Sequence, residues 1–389
     1  MRKNVQICMA AAAVLGTGMG LARSAAAAPC ATLAGAPIVY IENGDTQEPL
    51  IKRLGAQLIR SATPVRLVYK NRRTCDLAAD IYTGKSIVTD TALIKYIPTP
   101  TEDPTWTPLS VAPACQEQTP TELTISLGIG ATFLSSCTFA AGVTKPADVA
   151  VSNGPIQSYG FPAETGMALP WINQGLRYSR GPTASTALTT SAALGLKASQ
   201  LKGTVPVGNT STEVLNFVAT SPNPEATIGL MGTEVYDGAR NLVKLLAFRG
   251  FGQKYAYFPD SSNSSFDKKN VRDGHYLPWA PTPYITHVDG TGKAVDVNVQ
   301  RIIDLVLGAR VDADVNGLDQ VIGAGLVPDC AMGVSRAFDG GDFSLYAPAE
   351  SCTCYFESKV PQGSTKCTTC TTDTSCGTGK CHRGYCEVR

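Results

Sequence analysis

The first apolar positions of the chain fall into a strand, helix, strand order. Pro37-Ile-Val-Tyr-Ile41 is a short β-rich run closed by the polar loop Glu42-Asn-Gly-Asp-Thr46. Leu50, Ile51, Leu54, Leu58 and Ile59 then recur at spacings of three and four. That spacing predicts an amphipathic helix, with Asp45 or Thr46 as its cap and Glu48 in its first turn. A second β-rich run, Pro64-Val-Arg-Leu-Val-Tyr69, ends in a polar turn at 70–74. The order is the opening of a βαβ unit and predicts a parallel sheet in an α/β fold.

Further along the signals are shorter. Residues 96–121 are rich in Pro and Thr and predict an irregular excursion. Leu123, Ile125, Leu127 and Ile129 alternate as a strand does, and Ala147-Asp-Val-Ala-Val151 is another short strand ending at Ser152-Asn153-Gly154. A helical stretch covers 188–201. The loop Gly208-Asn-Thr-Ser-Thr212 precedes a second helix carrying Val214, Leu215, Phe217 and Val218. Residues 242–248 read as a strand and the polar stretch 259–276 as a long ordered loop. Val299, Ile302, Ile303 and Val306 mark an amphipathic helix that Gly308 stops. From Cys352 onward the apolar periodicity is lost, which predicts a separate, staple-dependent unit.

The N-terminus adds a compartment. Arg2 and Lys3 precede an apolar stretch from Ile7 to Leu21, and Ala26 and Ala28 form an A-x-A signature before Pro29. This is the pattern of a signal peptide over 1–28 cleaved near Ala28, which predicts a periplasmic or extracellular protein. A lipid anchor on Cys30 is the rival, and Pro29 before it fits such a cut poorly. Cleavage takes Arg2, Lys3 and Arg23 from 33 Lys+Arg and none of the 32 Asp+Glu, leaving a formal charge of −2. No basic stripe remains, so nucleic acid and anionic membrane are poor partners. A mature length of about 360 residues exceeds what one core serves and favours two lobes. Of 13 cysteines Cys8 leaves with the signal. The rest are Cys30, Cys75, Cys115, Cys137, Cys330 and the tail set Cys352, Cys354, Cys367, Cys370, Cys376, Cys381 and Cys386. An even number in an exported chain predicts a disulfide framework. The tail count is odd, so one tail cysteine bridges to the body or stays free, with Cys330 the nearest candidate. A zinc knuckle with His382 is the weaker alternative for the tail.

Three polar loops could bind an anion: 43–46, Ser152-Asn153 and Gly208–Thr212. In two of them a helix starts at once, offering free N–H groups and hydroxyl donors, and such loops converge at the carboxyl ends of strands in open α/β sheets. Each could equally be a plain helix cap or turn. Enzyme motifs are scarce: the three histidines are His275, His287 and His382, without H-E-x-x-H, G-x-S-x-G or Walker patterns. His275, in Asn270-Val-Arg-Asp-Gly-His-Tyr276, could serve an acid–base cluster, but a loop locked by Arg272 and Asp273 is the plainer reading. We therefore expect no enzyme, no metal and no cofactor.

Val39-Tyr-Ile-Glu-Asn-Gly-Asp-Thr46 before a Pro-bearing helix, Ala147-Asp-Val-Ala-Val-Ser-Asn153, the loop Gly208–Thr212 and Thr227-Ile-Gly-Leu-Met231 resemble the phosphate-binding family of periplasmic solute receptors. These are the type II binding proteins that serve ABC transporters. The segment 257–276 and the Cys-rich tail resemble a secreted bacterial subgroup of that family. The resemblance implies two lobes, 29–155 with 285–350 and 156–284, clamping a small oxyanion, followed by a tail at 351–389. Carried over, its ligand positions are Thr46, Thr74, Ser152, Asn153, Asn209, Thr210, Ser211 and Thr212. It implies as partner an ABC transporter permease, while the tail suggests a cell-surface partner. The second loop lacks the family's glycines, Asn153 replaces its Asp, and Asp45 sets a negative charge beside the ligand. Those departures motivate the alternative, a secreted or surface interaction protein with a degenerate pocket.

Overall fold

A computed structural model describes residues 29–33, 35–72, 93–115, 125–129, 170–250, 252–337, 340–364 and 366–387, with short pieces between 76 and 87 and the backbone of strands Cys137–Gly142 and Ala150–Val151. Residues 1–28, where the sequence predicts a signal peptide, and Thr74, Cys75, Ser152 and Asn153 lie outside them, as does the Cys137 side chain. Among the described residues no helix is long and apolar enough to cross a membrane.

The fold is mixed α/β, as the strand and helix order predicts. In a five-stranded sheet, Ile38–Asn43 lies at the centre, parallel to Arg66–Asn71 on one side and to Leu127–Ile129 on the other. Lys95–Tyr96 and Tyr284–Ile285 close its two edges antiparallel. Successive side chains of a strand face opposite ways, and the first strand uses both faces. Val39 and Ile41 join a core with Leu50, Leu54 and Leu58 of helix Glu48–Leu58 and Val299, Ile302 and Leu305 of helix Val297–Leu307. Ile38 and Tyr40 pack on the other side, against Val68, Ile94 and the Cys30–Cys115 disulfide that ties the 96–121 excursion down. Helix Val297–Leu307 starts at Asp296, whose carboxylate accepts the Asn298 N–H at 2.8 Å, and stops at Gly308 with φ +74°, as predicted.

A second sheet runs in the order Arg177–Tyr178, Ile228–Gly232, Cys137–Gly142, Val243–Leu245. Its central strand Cys137–Gly142 is antiparallel to both neighbours. Ile228 and Leu230 face a core with Phe248, Tyr276 and Trp279, while Met231 faces Val214 and Val218 of helix Ser211–Ala219. Gly229 permits that helix to approach, since a Cβ there would come within 2.6 Å of Val218 and 2.7 Å of Val214. The predicted strand at 242–248 is broken into Val243–Leu245 and Ala247–Phe248, the latter pairing with Ala150–Val151. Helix Gly317–Gly323 serves both halves: Val321 belongs to the first core, Leu318 and Ile322 to the second.

The cysteine-rich end begins inside the second core. Helix Thr353–Lys359 buries Tyr355 and Phe356 there, so apolar packing continues past residue 351. Cys330–Cys352 joins this helix to the body, the bridge that the odd tail count suggests. Cys354–Cys367 leads into a small module held by Cys370–Cys381 and Cys376–Cys386 around the hairpin of Lys380–His382 and Tyr385–Glu387. Cys370, Cys376 and Cys381 cluster closely enough for a metal, but their sulfurs are spent in disulfides, which overturns the zinc-knuckle alternative. The module docks through Glu387, buried at 3 % exposure, whose carboxylate accepts the N–H groups of Cys354 at 3.0 Å and Tyr355 at 2.9 Å. It therefore caps helix Thr353–Lys359 from a distance in sequence. Glu387→Ala should cost about 1–2 kcal/mol of stability by orphaning those donors. Guanidinium unfolding with the disulfides intact would read that loss.

Candidate functional site

The strongest polar constellation lies where the two sheets meet. The turn Asp45–Gln47 follows the central strand of the first sheet and leads directly into helix Glu48–Leu58. Neither Asp45 nor Thr46 caps that helix, contrary to the sequence expectation: its N-cap is Gln47, with no side-chain cap. Asp45 turns instead to the second sheet. Its Oδ1 accepts from Arg180 Nη2 at 3.2 Å and its Oδ2 from the Ser211 N–H at 3.2 Å. Arg180, 5 % exposed, stands just after strand Arg177–Tyr178, and Ser211 is the first residue of helix Ser211–Ala219. A carboxylate from one sheet thus lies against a guanidinium and a helix N-terminus from the other, the donors that recognise an anion.

The remaining contacts fix Arg180 in place. Its Nη1 donates to Ser211 Oγ at 2.6 Å and its Nε to Asn209 Oδ1 at 3.3 Å. Asn209 Oδ1 also accepts the Gly181 N–H at 2.7 Å, and Ser211 Oγ accepts the Gly232 N–H at 3.2 Å. Asn209 holds φ +51°, a left-handed conformation that Asn tolerates and that aims its amide back at residues 180 and 181. Thr210 is consumed in a capping box with Glu213. Thr212 is exposed and lies apart from the seam.

Glu234, in the short helix Thr233–Asp237 that follows strand Ile228–Gly232, completes the group. It is 8 % exposed, and neither carboxylate oxygen has a hydrogen-bond partner outside its own residue among the described residues. Burial pushes its carboxyl up to about 8; Asp45 and Asp237 add to the rise and Arg180 opposes it. Thr46 Oγ1 and both amide atoms of Gln47 are likewise buried without partners among the described residues. Unmatched buried polar atoms cost about 1–3 kcal/mol each, so Glu234 beside Asp45 and the two residues that follow Asp45 in the chain ask for a reason.

Of the positions expected from sequence, Asn209 and Ser211 are brought to the seam, Thr46 is buried next to Asp45 in the chain, Thr210 serves its own helix, and Thr212 faces solvent. Thr74, Ser152 and Asn153 lie outside the described residues. Sequence reading did not single out Arg180, Gln47 or Glu234. The signal for Arg180 was Tyr178-Ser-Arg-Gly181, a cation at a strand end before a helix of small polar residues. Helix Ser185–Ala193 opens on Ala184 with no side-chain cap and buries Ser185 and Thr186. His275 is exposed and stacks on Tyr257 with centroids 5.0 Å apart, while Asp273 pairs with Lys269 and Arg272 with Glu357. That is a locked loop, in keeping with the plainer reading of 259–276.

The polar seam between two sheets, with paired loops at strand ends, defines the class as an α/β protein with a candidate anion centre. No protein-family model and no curated protein matches the chain. Three solved structures show what it is similar to. A possible phosphate-binding protein from Planctomyces limnophilus aligns over 76% of this chain and 94% of its own, at 8% identity and TM-score 0.42. PstS from Borrelia burgdorferi aligns over 75% and 98%, at 10% identity and TM-score 0.40. A phosphate transport receptor from Vibrio cholerae aligns over 74% and 99%, at 12% identity and TM-score 0.42.

Proposed function

We propose that the protein is an exported solute-binding protein that takes a small oxyanion at the seam, with Arg180 as anchor. One observation carries this reading: a buried guanidinium in the second sheet has as its counter-charge a carboxylate from the first. A guanidinium stays charged at any relevant pH and offers forked donors that fit an oxyanion. An incoming oxyanion would compete with Asp45 for Arg180 Nη2 and the Ser211 N–H. Asp45 belongs to the other sheet, so exchanging it for ligand alters what holds the two halves together, as in a hinged closure. The halves would divide where the chain crosses between Ile129 and Cys137 and returns between Phe248 and Tyr284. Disulfides support export, because they persist in oxidising compartments. An ABC transporter permease is the partner such a receptor would serve.

A second reading is favoured by the same aspartate. With Asp45 in place Arg180 Nη2 and the Ser211 N–H are already satisfied, as in a secreted interaction protein whose pocket has closed on itself and whose docked tail meets a cell-surface partner. Thermal unfolding of the mature protein against phosphate, sulfate and molybdate separates the two. A binding oxyanion at 100 times its dissociation constant should stabilise the protein by about 2.7 kcal/mol. Asp45→Asn should strengthen that binding about tenfold by freeing two donors, Arg180→Met should abolish it, and Thr212→Ala should leave it intact. If no oxyanion shifts either the native protein or Asp45→Asn, the second reading holds.

A further inference from the structure

A cavity of about 410 Å³ opens on the side of the molecule where helices Glu48–Leu58, Gly317–Gly323 and Thr353–Lys359 come together. Its size is that of a small-molecule site. The walls are mostly apolar, with Ile322, Leu326, Phe356 and Val360 inside and Leu109, 86% exposed, at the lining. The charges around it do not cancel. Asp237 is held by Arg240 at 2.5 Å and by Lys268 at 2.7 Å, and Lys268 also holds Asp260 at 3.0 Å. Glu234 contributes its backbone side, for its carboxylate is folded back over Gly232, where a Cβ would meet Oε1 at 1.9 Å. Lys359 pairs with Asp319 at 3.1 Å across partly exposed side chains.

Arg53 is the charge left over. It lines the cavity and has no hydrogen-bond or ion-pair partner among the described residues. Its guanidinium rests on helix Gly317–Gly323 at Gly323, where a Cβ would come within 2.9 Å of Nη1. We infer that this cavity binds an organic carboxylate with an apolar body: the carboxylate pairs with Arg53, assisted by Lys359, and the body packs on Ile322, Phe356 and Val360. A forked guanidinium suits a carboxylate in bidentate contact, and the apolar walls supply the rest of the binding energy. The cavity meets the oxyanion seam only at Glu234, and its carboxylate subsite at Arg53 does not use Arg180.

Calorimetric titration of the full mature protein with octanoate and with 1-octanol tests it. Octanoate should bind at least tenfold more tightly than 1-octanol. Arg53→Ala should remove that preference, and Arg53→Lys should keep part of it. Leu109→Asp, a change at an exposed residue that the fold tolerates, should weaken octanoate at least threefold by placing a like charge beside the cavity. Octanoate that fails to bind, or that binds Arg53→Ala as well as the native protein, overturns the inference. Because Arg180 enters none of these readouts, failure of the oxyanion reading would leave the result standing.

Discussion

Arg272→Ala should destabilise the protein by about 3–5 kcal/mol, because it strands a buried carboxylate. Arg272 and Glu357 are 5 % and 7 % exposed and meet at 2.5 Å. The guanidinium also donates to the carbonyls of Ala331 at 3.0 Å and Asp267 at 3.1 Å, and it lies 5.0 Å from the ring centre of Phe356. Glu357 Oε2 accepts the Ser364 N–H at 2.8 Å. Without Arg272 the carboxylate keeps only the Ser364 N–H among the described residues, and the guanidinium's contacts with Ala331, Asp267 and Phe356 are lost together. The double replacement Arg272→Met with Glu357→Leu removes the charge as well as its partner, so it should cost less than Arg272→Ala alone. Guanidinium unfolding of the two variants and the native protein, with disulfides intact, gives the comparison. A cost below about 1 kcal/mol for Arg272→Ala would mean that the pair behaves as a solvated surface bridge.

That pair also shows what the sequence could and could not disclose. Arg272 was visible as a polar residue in a locked loop, but its partner lies 85 positions away in a segment whose apolar periodicity had ended. Helix Thr353–Lys359 has seven residues and buries the adjacent Tyr355 and Phe356, too short a span to show a 3.6-residue repeat. The central strand and the strand after the first helix were legible as short apolar β-rich runs buried on both faces, and helices Glu48–Leu58 and Val297–Leu307 because each buries one face of regular period. Helix Ser185–Ala193 was placed late, at 188–201, because its buried face is built of Ser, Thr and Ala and carries little hydropathic contrast. Gly195, at φ +67°, ends the helical stretch early.

The candidate site was half legible for a related reason. Loops 43–46 and 208–212 announced themselves through Gly, Asn, Ser and Thr at strand and helix ends. What joins them is Asp45 to Arg180, 135 positions apart, and no local pattern encodes that approach. Asp45 next to a predicted helix start looked like a cap. The tertiary partner outcompetes the local one, since a guanidinium together with a helix N–H holds a carboxylate more strongly than a backbone donor alone.

Stability should fall as pH rises from the ordinary carboxylate range to about 8, by up to about 1.4 kcal/mol per pH unit, and Glu234→Gln should flatten that slope. The sign follows from proton counting. Below the ordinary carboxylate range, Glu234 is protonated in both folded and unfolded chains and contributes no slope. Between that range and about 8 the folded state keeps the proton while the unfolded state has lost it, so raising pH favours unfolding. Above about 8 both states are ionised and the slope disappears. The charged groups facing Glu234 are Asp45, Asp237 and Arg180. Once ionised, Glu234 would set a second carboxylate beside Asp45 and compete for the field of Arg180, loosening the contact between the sheets. The same argument couples pH to ligand: an oxyanion replacing Asp45 at Arg180 would hold the Glu234 proton in place, and its binding should weaken above pH 8 in the native protein. Denaturant midpoints measured across pH for the native protein and Glu234→Gln decide the matter. Parallel curves would mean that water reaches the carboxylate and that the seam is open to solvent in the resting protein.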